Sequence, residues 1–88
     1  MRIIAGKKKG MKLLPPRGKS TRPIPDKVKE SMFSVLLKYG MPREAKVADL
    51  FCGTGSNGIE ALSRGAATAV FVEKDPAAVE ILNKNLVK

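Results

Sequence analysis

A strand, a glycine-rich turn, a helix and a second strand follow one another without interruption between Lys46 and Asp75. Apolar runs predict the strands over residues 47–51 and 69–72, and the segment between them predicts a short helix over residues 59–64. A right-handed crossover of this length places the two strands side by side and parallel. The stretch therefore predicts one βαβ unit, and with it an α/β fold.

The turn of this unit has the spacing G-x-G-x-x-G, at Gly53, Gly55 and Gly58. Such a turn lets a ligand approach bare backbone N–H groups where a helix begins. Glu73 follows Gly53 by 20 residues, and a carboxylate at the end of the next strand can accept hydrogen bonds from ribose hydroxyls. The pattern predicts a nucleoside-cofactor site, although a tight strand-to-helix turn without a ligand remains an alternative.

An acidic residue ahead of the turn discriminates among nucleoside ligands. Asp49 stands four residues before Gly53, and a carboxylate at that place disfavours a pyrophosphate and favours a cationic group. S-adenosylmethionine carries an ammonium, a sulfonium and a ribose diol but no phosphate, so it fits this arrangement. A purely structural role, in which Asp49 accepts a hydrogen bond from a neighbouring loop N–H, is the alternative.

Composition limits the other classes of function. Eighty-eight residues suffice for one small domain or for a piece of a larger one. A single cysteine, Cys52, excludes an internal disulfide, and the absence of histidine argues against a zinc site or histidine-based catalysis. No apolar run reaches the roughly 18 residues of a membrane span, and no signal peptide is present. We therefore expect a cytoplasmic protein without a metal or a membrane contact.

The charge is concentrated in the first half of the chain. Residues 1–40 contain eleven Lys/Arg and two acids, whereas residues 41–88 contain six of each. This asymmetry predicts a basic arm over residues 1–40 that binds a polyanion, followed by a cofactor-binding part over residues 41–88. A solvated basic surface is the alternative.

The basic portion contains a predicted hairpin and a predicted helix. Arg2–Ala5 and Met11–Leu14 are β-prone and are separated by a lysine-rich connection, which predicts a hairpin with a basic tip. The hairpin is expected to dock through an apolar side, and that side is predicted as Ile4, Met11 and Leu13.

Two further helices are indicated by their start signals and periodicity. Pro25 at the first helical position starts one helix, and Gly40 ends it. Asp75 followed by Pro76 predicts the start of another, with Asp75 as N-cap. The apolar stripe predicted to be buried in the first of these helices consists of Val28, Met32, Val35, Leu36 and Tyr39, widened by Phe33 and Leu37.

The residues also resemble a known family. Asp49–Gly55 look like the D-x-F-x-G-x-G motif of class I S-adenosylmethionine-dependent methyltransferases, and Val70–Glu73 are similar to their ribose-binding motif. Met1–Gly6, Ser20–Pro23 and Asp26–Glu30 resemble the bacterial members that methylate a guanine N2 in 16S ribosomal RNA of the small subunit. The resemblance extends over essentially all 88 residues.

The resemblance implies a fold and a site. The fold would be an N-terminal β-hairpin and helix followed by the first βαβα portion of a Rossmann-like methyltransferase sheet. Ser20 and Thr21 would lie near the cofactor and the RNA. The residues implied to bind S-adenosylmethionine are Asp49, Phe51, Gly53, Thr54, Gly55, Gly58 and Glu73. Those implied to hold RNA phosphates are Lys7, Lys8, Lys9, Lys12, Arg17, Lys19 and Arg22. The expected partner is ribosomal RNA or a small-subunit assembly particle, bound by a monomer.

One motif of the family has no counterpart in these 88 residues. The family positions the target amine with an Asn/Asp-Pro-Pro-Tyr/Phe loop after the fourth strand. Here Pro-Pro occurs at Pro15-Pro16 alone, between Leu14 and Arg17. We therefore expect the N-terminal part of an RNA methyltransferase, with an incomplete sheet, no catalytic residue and no activity of its own. A non-enzymatic basic RNA-binding module and an NAD-binding fragment remain alternatives.

Overall fold

The computed structural model describes residues 1–15, 25–50 and 52–88. Over these ranges the chain is a mixed α/β fold with three helices and a two-stranded parallel sheet. No helix in the described part of the chain is long and apolar enough to span a membrane. The elements in order are α1 (Asp26–Leu37), β1 (Lys46–Leu50), α2 (Ser56–Ser63), β2 (Thr68–Val72) and α3 (Pro76–Leu86).

The predicted βαβ unit is confirmed. Strands β1 and β2 run parallel, from the pair Lys46 and Thr68 to the pair Leu50 and Val72, and α2 connects them. The predicted start of α2 at residue 59 is wrong, because the helix begins at Ser56. Its N-cap is the left-handed Gly55, so the second half of the glycine turn already forms the first helical turn.

The predicted hairpin is also confirmed, and its docked side carries Met11 and Leu13 as predicted, but Ile3 in place of Ile4. The N–H of Ile3 donates to Met11 O and the N–H of Leu13 donates to Met1 O, both at 2.9 Å. Paired residues share a face, so these four side chains point the same way, and Ile3 (0% exposed) and Leu13 (4%) pack on Ile59 of α2. Placing Ile4 on this face was wrong because it ignored the alternation along the strand.

Helix α1 buries Phe33 (3% exposed), as predicted, but not the rest of the predicted stripe. Lys29 and Phe33 are its buried residues, whereas Val28, Val35 and Tyr39 are 56%, 54% and 77% exposed. The rest of the prediction was wrong because it chose the buried face of α1 from the positions of apolar residues alone. A lysine with buried hydrogen-bond acceptors lies inward instead, one helical turn before Phe33.

Helix α3 starts as predicted and then anchors two other segments. The Asp75 carboxylate accepts the N–H of Ala77 at 3.1 Å, which is the expected N-cap. Near the helix end, the buried Asn85 accepts the N–H of Leu14 at 2.8 Å and donates to Leu14 O and Thr54 O at 3.2 and 3.0 Å. This amide thereby joins the hairpin and the glycine turn to α3.

Candidate functional site

The glycine turn lies where the carboxyl ends of β1 and β2 meet, and Glu73 contacts it directly. The Glu73 carboxylate accepts the N–H of Gly53 at 2.8 Å through Oε1 and the N–H of Asp75 at 2.9 Å through Oε2. These two hydrogen bonds, that from Asp75 first, hold the pKa of Glu73 below its ordinary value. An ionised carboxylate therefore lies at the turn, at the position that the spacing predicts.

Asp49 reaches the same turn from β1. Its Oδ2 accepts the N–H of Gly58 at 3.0 Å, which satisfies a backbone donor in the first turn of α2. Burial raises the pKa of Asp49, and the hydrogen bond from Gly58 opposes that rise. The structural alternative for Asp49, a hydrogen bond to a neighbouring N–H, is thus present. The predicted contact between Asp49 and a cationic group of a ligand stays a prediction.

The three glycines of the turn have different surroundings. Gly53 has φ +57°, and a Cβ built on it would meet nothing within 4 Å, so its backbone faces open space beside Glu73. A Cβ on Gly55 would collide with Leu82, and one on Gly58 would collide with Phe71. Gly53 is therefore the glycine that suits the close approach of a ligand, whereas the other two are also required by packing.

Two more residues of the predicted cofactor set can be placed. Thr54 is buried, and its carbonyl accepts the side-chain amide of Asn85. Phe51 lies outside the described residues. Neighbouring Cys52 has its pKa raised by burial and by the carboxylates of Asp49 and Glu73, so its thiol is neutral and suits packing rather than nucleophilic attack.

A cluster of buried charges beneath the hairpin was not anticipated from the sequence. Glu60 is 0% exposed, and its carboxylate accepts the N–H groups of Ile4 and Ala5 at 2.8 and 3.1 Å. The guanidinium of Arg64 donates to the same carboxylate at 2.8 Å. The ammonium of Lys29 lies 3.4 Å from it. We call Lys29, Glu60 and Arg64 the buried charge cluster.

Lys29 extends this cluster to the glycine turn. Its ammonium donates to Ser56 Oγ at 2.9 Å and to Arg2 O at 3.1 Å. Ser56 is the first residue of α2, directly after Gly55. The hairpin, α1 and the helix start thus share one set of buried hydrogen bonds. The four-residue spacing of Glu60 and Arg64 was an available signal for part of this cluster, but no local pattern marks Lys29.

Burial alone would raise the pKa of Glu60, but its partners outweigh that effect. The N–H of Ile4, the Arg64 guanidinium, the N–H of Ala5 and the Lys29 ammonium together hold the pKa below its ordinary value. The Arg64 guanidinium also lies 4.5 Å from the ring centroid of Phe33. Glu60 is therefore ionised at neutral pH, and the cluster is charge-paired.

The basic tip of the hairpin is fixed through its backbone while its side chains face solvent. The N–H of Lys7 donates to Ser63 O at 2.8 Å and that of Lys8 to Ser63 Oγ at 2.9 Å. Lys7, Lys8, Lys9 and Lys12 are all exposed. Ser63 is the last residue of α2, whereas the glycine turn precedes its first, so the two features are separated by roughly 10 Å of helix.

Five residues of the predicted arm cannot be placed against this site. They lie in residues 16–24, outside the described ranges, and are Arg17, Lys19, Ser20, Thr21 and Arg22. The predicted division between residues 1–40 and 41–88 also stays a prediction.

Comparison with known proteins identifies the family of this chain. Residues 1–88 match the family described as Conserved hypothetical protein 95. The chain belongs to this family. Its relatives include a Bacillus subtilis protein, YlbH, named as a candidate rRNA methyltransferase. It is 46% identical over 86 residues, which cover 98% of this chain and 46% of the relative.

Further similar proteins also carry methyltransferase names. Ribosomal RNA small subunit methyltransferase D of Escherichia coli K12 is 42% identical over 86 residues, covering 98% of this chain and 42% of the relative. A solved structure of the Escherichia coli protein yhhF, named as a candidate methyltransferase, matches with a TM-score of 0.85 and 39% identity. The match covers 99% of this chain and 45% of that one. The chain thus spans less than half the length of these relatives.

Proposed function

We propose that this chain forms the cofactor-contacting and RNA-contacting part of an S-adenosylmethionine-dependent ribosomal RNA methyltransferase. The observation that carries the proposal is the hydrogen bond from the Gly53 N–H to Glu73. It brings the second-strand carboxylate onto the open, left-handed glycine of the turn, where a nucleoside would lie. The rRNA methyltransferase names of the relatives support the reaction class.

Electrostatics favours this cofactor over a dinucleotide. Asp49 and Glu73 both contact the turn, and two carboxylates there repel a pyrophosphate and attract the ammonium and sulfonium of S-adenosylmethionine. Glu73 Oε1 accepts the N–H of Gly53 and Oε2 that of Asp75, and a carboxylate oxygen with two lone pairs can also accept a ribose hydroxyl. In this proposal the glycine turn and both carboxylates form one wall of a Rossmann-like cofactor site.

The proposed RNA-binding surface is the exposed tip of the hairpin. Lys7, Lys8, Lys9 and Lys12 present ammonium groups on a backbone that Ser63 fixes, with Arg17, Lys19 and Arg22 following in the chain. Contacts of this kind position RNA without reading its sequence. Since the tip is roughly 10 Å along α2 from the glycine turn, we assign it to RNA flanking the modified nucleotide.

The finer assignments follow from the resemblance and are proposals as well. The target would be a guanine N2 in small-subunit ribosomal RNA, and the protein would act in the cytoplasm as a monomer. The 88 residues lack the family's Pro-Pro-Tyr/Phe loop. The proposal therefore assigns them binding of cofactor and RNA, without methyl transfer by this chain alone.

Titration of the isotope-labelled chain with S-adenosylhomocysteine and, separately, with NAD tests the cofactor. We expect the amides of residues 53–58 to shift with S-adenosylhomocysteine and to stay in place with NAD. Glu73→Gln should weaken S-adenosylhomocysteine binding about tenfold or more, because a neutral amide is a poorer acceptor for the ribose diol. The matched control, Glu80→Gln on the outer face of α3, should bind as the wild type does.

Two results would contradict the proposal. Shifts with NAD alone would assign the turn to a dinucleotide. Binding of S-adenosylhomocysteine that is equally tight in wild type and Glu73→Gln would remove Glu73 from the site.

A further inference from the structure

A groove lies beside the hairpin, where the end of α2 meets the loop between α1 and β1. It has a volume of about 400 Å³. The charged residues that line it in the described part of the chain are Arg43 and Arg64, and none of its described lining residues is acidic. Its apolar wall includes Leu37 and Met41, which are 71% and 41% exposed. The groove thus combines two guanidinium groups with an apolar surface.

Backbone hydrogen bonds at the end of α2 hold the parts of this groove together. The N–H of Glu44 donates to Gly65 O at 2.8 Å, which places the neighbouring Arg43 beside the helix end. From the other side, the N–H of Lys7 donates to Ser63 O at 2.8 Å. Three cationic segments therefore converge at the end of α2, namely the hairpin tip, the loop before β1 and the helix itself.

Arg64 is held in position within the protein. Its Nε donates to the buried Glu60 at 2.8 Å, and its guanidinium lies 4.5 Å from the ring centroid of Phe33. A guanidinium has five N–H donors, and the other four of Arg64 have no acceptor among the described residues. A side chain that is already fixed loses little conformational entropy when it binds an anion.

The groove has an excess of positive charge. The carboxylate that Arg64 contacts, Glu60, also lies 3.4 Å from the Lys29 ammonium, so the buried charge cluster has two cations and one anion. Arg43 adds an exposed cation that has no ion pair with any described residue. Glu44 follows it in the chain but does not line the groove. The groove is therefore complementary to an anion.

We propose that this groove is a nucleotide subsite for single-stranded RNA beside the hairpin tip. One phosphate binds between the guanidinium groups of Arg43 and Arg64, and the attached nucleoside packs on Leu37 and Met41. The subsite deepens the RNA-contacting role and rests on the proposed function. It gives that role a site with apolar contacts to one nucleotide, in addition to the lysines of the tip.

The position and size of the groove favour a nucleotide over an acidic peptide. Guanidinium groups bind carboxylates and phosphates alike in two-point contacts. The groove borders Gly6, however, and the lysines of the tip follow directly at Lys7, so one RNA strand can contact both features. Its volume of about 400 Å³ lies near the lower end of the range of roughly 300 to 1,000 Å³ for small-ligand sites. That volume suits one nucleotide and excludes a duplex.

Titration of the isotope-labelled chain with guanosine 5′-monophosphate, and with guanosine as the matched control, tests the phosphate contact. We expect the Nε–H signal of Arg64 and the amide of Gly65 to shift with the monophosphate and to stay in place with guanosine. Arg43→Ala should weaken this binding at least fivefold, because it removes one of the two guanidinium groups. Unchanged amide signals within α2 show that the variant is folded.

RNA binding provides the second measurement. Arg43→Ala should flatten the dependence of log affinity on log salt by about 0.7 to 0.9, which corresponds to one phosphate contact. Arg43→Lys keeps the charge and should keep the slope. Leu37→Glu should weaken RNA binding at least fivefold, because it places a carboxylate in the groove. Val35→Glu has the same change of charge on the same helix but lies outside the groove, so it should weaken binding less than about twofold.

The outcomes separate this subsite from the proposed function. An equal salt slope in the wild type and Arg43→Ala, with RNA still bound, would overturn the subsite and leave the proposed function standing. A wild type that binds no RNA would contradict both. Absence of a shift at Arg64 and Gly65 with the monophosphate would overturn the subsite whether or not RNA binds. Shifts there with a glutamate-rich peptide alone would assign the groove to a protein partner.

Discussion

At the scale of single residues, Glu60 shows how a buried charge is kept in a small protein. Its side chain is fully buried, yet it has two backbone N–H donors, a guanidinium and a nearby ammonium. A buried carboxylate without such partners would be neutralised. The partners make the hairpin backbone dependent on the charge state of one side chain of α2.

Glu60→Gln should change the pH dependence of stability. Because the folded-state pKa of Glu60 lies below its ordinary value of 4.5, its stabilising contribution is complete above that value and is lost as pH falls through the folded pKa. The free energy of unfolding, measured with urea, should therefore fall less steeply with decreasing pH in the variant than in the wild type. At pH 7 it should be lower in the variant by about 3 to 5 kcal/mol. Protonation of Asp49, whose pKa is raised, acts in the opposite direction in both proteins.

Glu80→Gln is the matched control for this measurement. Glu80 pairs with Lys84 at 3.5 Å on an exposed surface, so its replacement should change stability by less than about 1 kcal/mol. An equally steep fall of the free energy of unfolding at acidic pH in wild type and Glu60→Gln would contradict the role given to Glu60.

The glycines of the turn allow a matched pair of variants. Gly58→Ala places a methyl against the Phe71 ring and should cost about 1 to 3 kcal/mol of stability. In Gly53→Ala the new methyl group meets no atom, but the alanine must adopt φ +57°. The variant should therefore lose about 1 kcal/mol of stability and bind S-adenosylhomocysteine more weakly. Thermal unfolding and calorimetric titration separate the two effects. Unchanged affinity in Gly53→Ala would show that no ligand approaches that backbone.

At the scale of elements, α2 organises the molecule because different parts dock at its two ends. The glycine turn and Ser56 stand at its start, and Ser63 fixes the hairpin tip at its end. A Cβ on Gly6 would collide with the backbone of Ser63, so the hairpin approaches α2 as closely as glycine permits. The helix thus sets the spacing between the proposed cofactor and RNA contacts.

The basic tip is expected to bind RNA through counterion release. If about five cations meet phosphates, log affinity should fall against log salt with a slope of roughly −3.5 to −4.5. Replacing Lys7, Lys8 and Lys9 by alanine should flatten that slope by about two units. Fluorescence anisotropy with a labelled small-subunit rRNA hairpin at several salt concentrations measures both values.

The control for the tip is removal of cations elsewhere. Lys84→Ala on α3, outside the surface shared by Lys7 and Lys8, should leave the slope unchanged. A slope that is the same in the wild type and the triple variant would show that the hairpin does not contact RNA.

At the scale of the whole molecule, Lys29 joins three parts that are distant in sequence. Its ammonium contacts the hairpin at Arg2, the start of α2 at Ser56, and Glu60. These contacts cross 27 residues or more of chain. The buried charge cluster therefore fixes the relative positions of the hairpin, α1 and α2.

Lys29→Met should test this arrangement while keeping the side-chain volume similar. Loss of the ammonium leaves Ser56 and Arg2 O without their donor and Glu60 less compensated, so stability should fall by about 3 to 5 kcal/mol. Lys27→Met, on the exposed side of the same helix, should change it by less than about 0.5 kcal/mol. Urea unfolding gives both values, and amide exchange at Ile4 and Ala5 reports the hairpin. Equal stability of the two variants would contradict the coupling.

The local signals in the sequence were sufficient where a short segment decides its own structure. Asp75 followed by Pro76 predicted the start of α3, the apolar runs predicted β1 and β2, and the G-x-G-x-x-G spacing predicted the turn between β1 and α2. The 20-residue interval also predicted that Glu73 lies at the carboxyl end of the second strand, because it spans one helix and one strand; the hydrogen bond that Glu73 accepts from Gly53 was added by the structure. These features depend on backbone preferences and on the geometry of a single crossover.

Which residues are buried was decided by the tertiary structure. The periodicity of α1 assigned Val28, Val35 and Tyr39 to the core, whereas Lys29 occupies it instead. A lysine is buried when acceptors from other segments surround it, and no local window contains those acceptors. The sequence by itself therefore determined the βαβ unit and its glycine turn, and the long-range pairing of Lys29 with Glu60 decided which faces close around them.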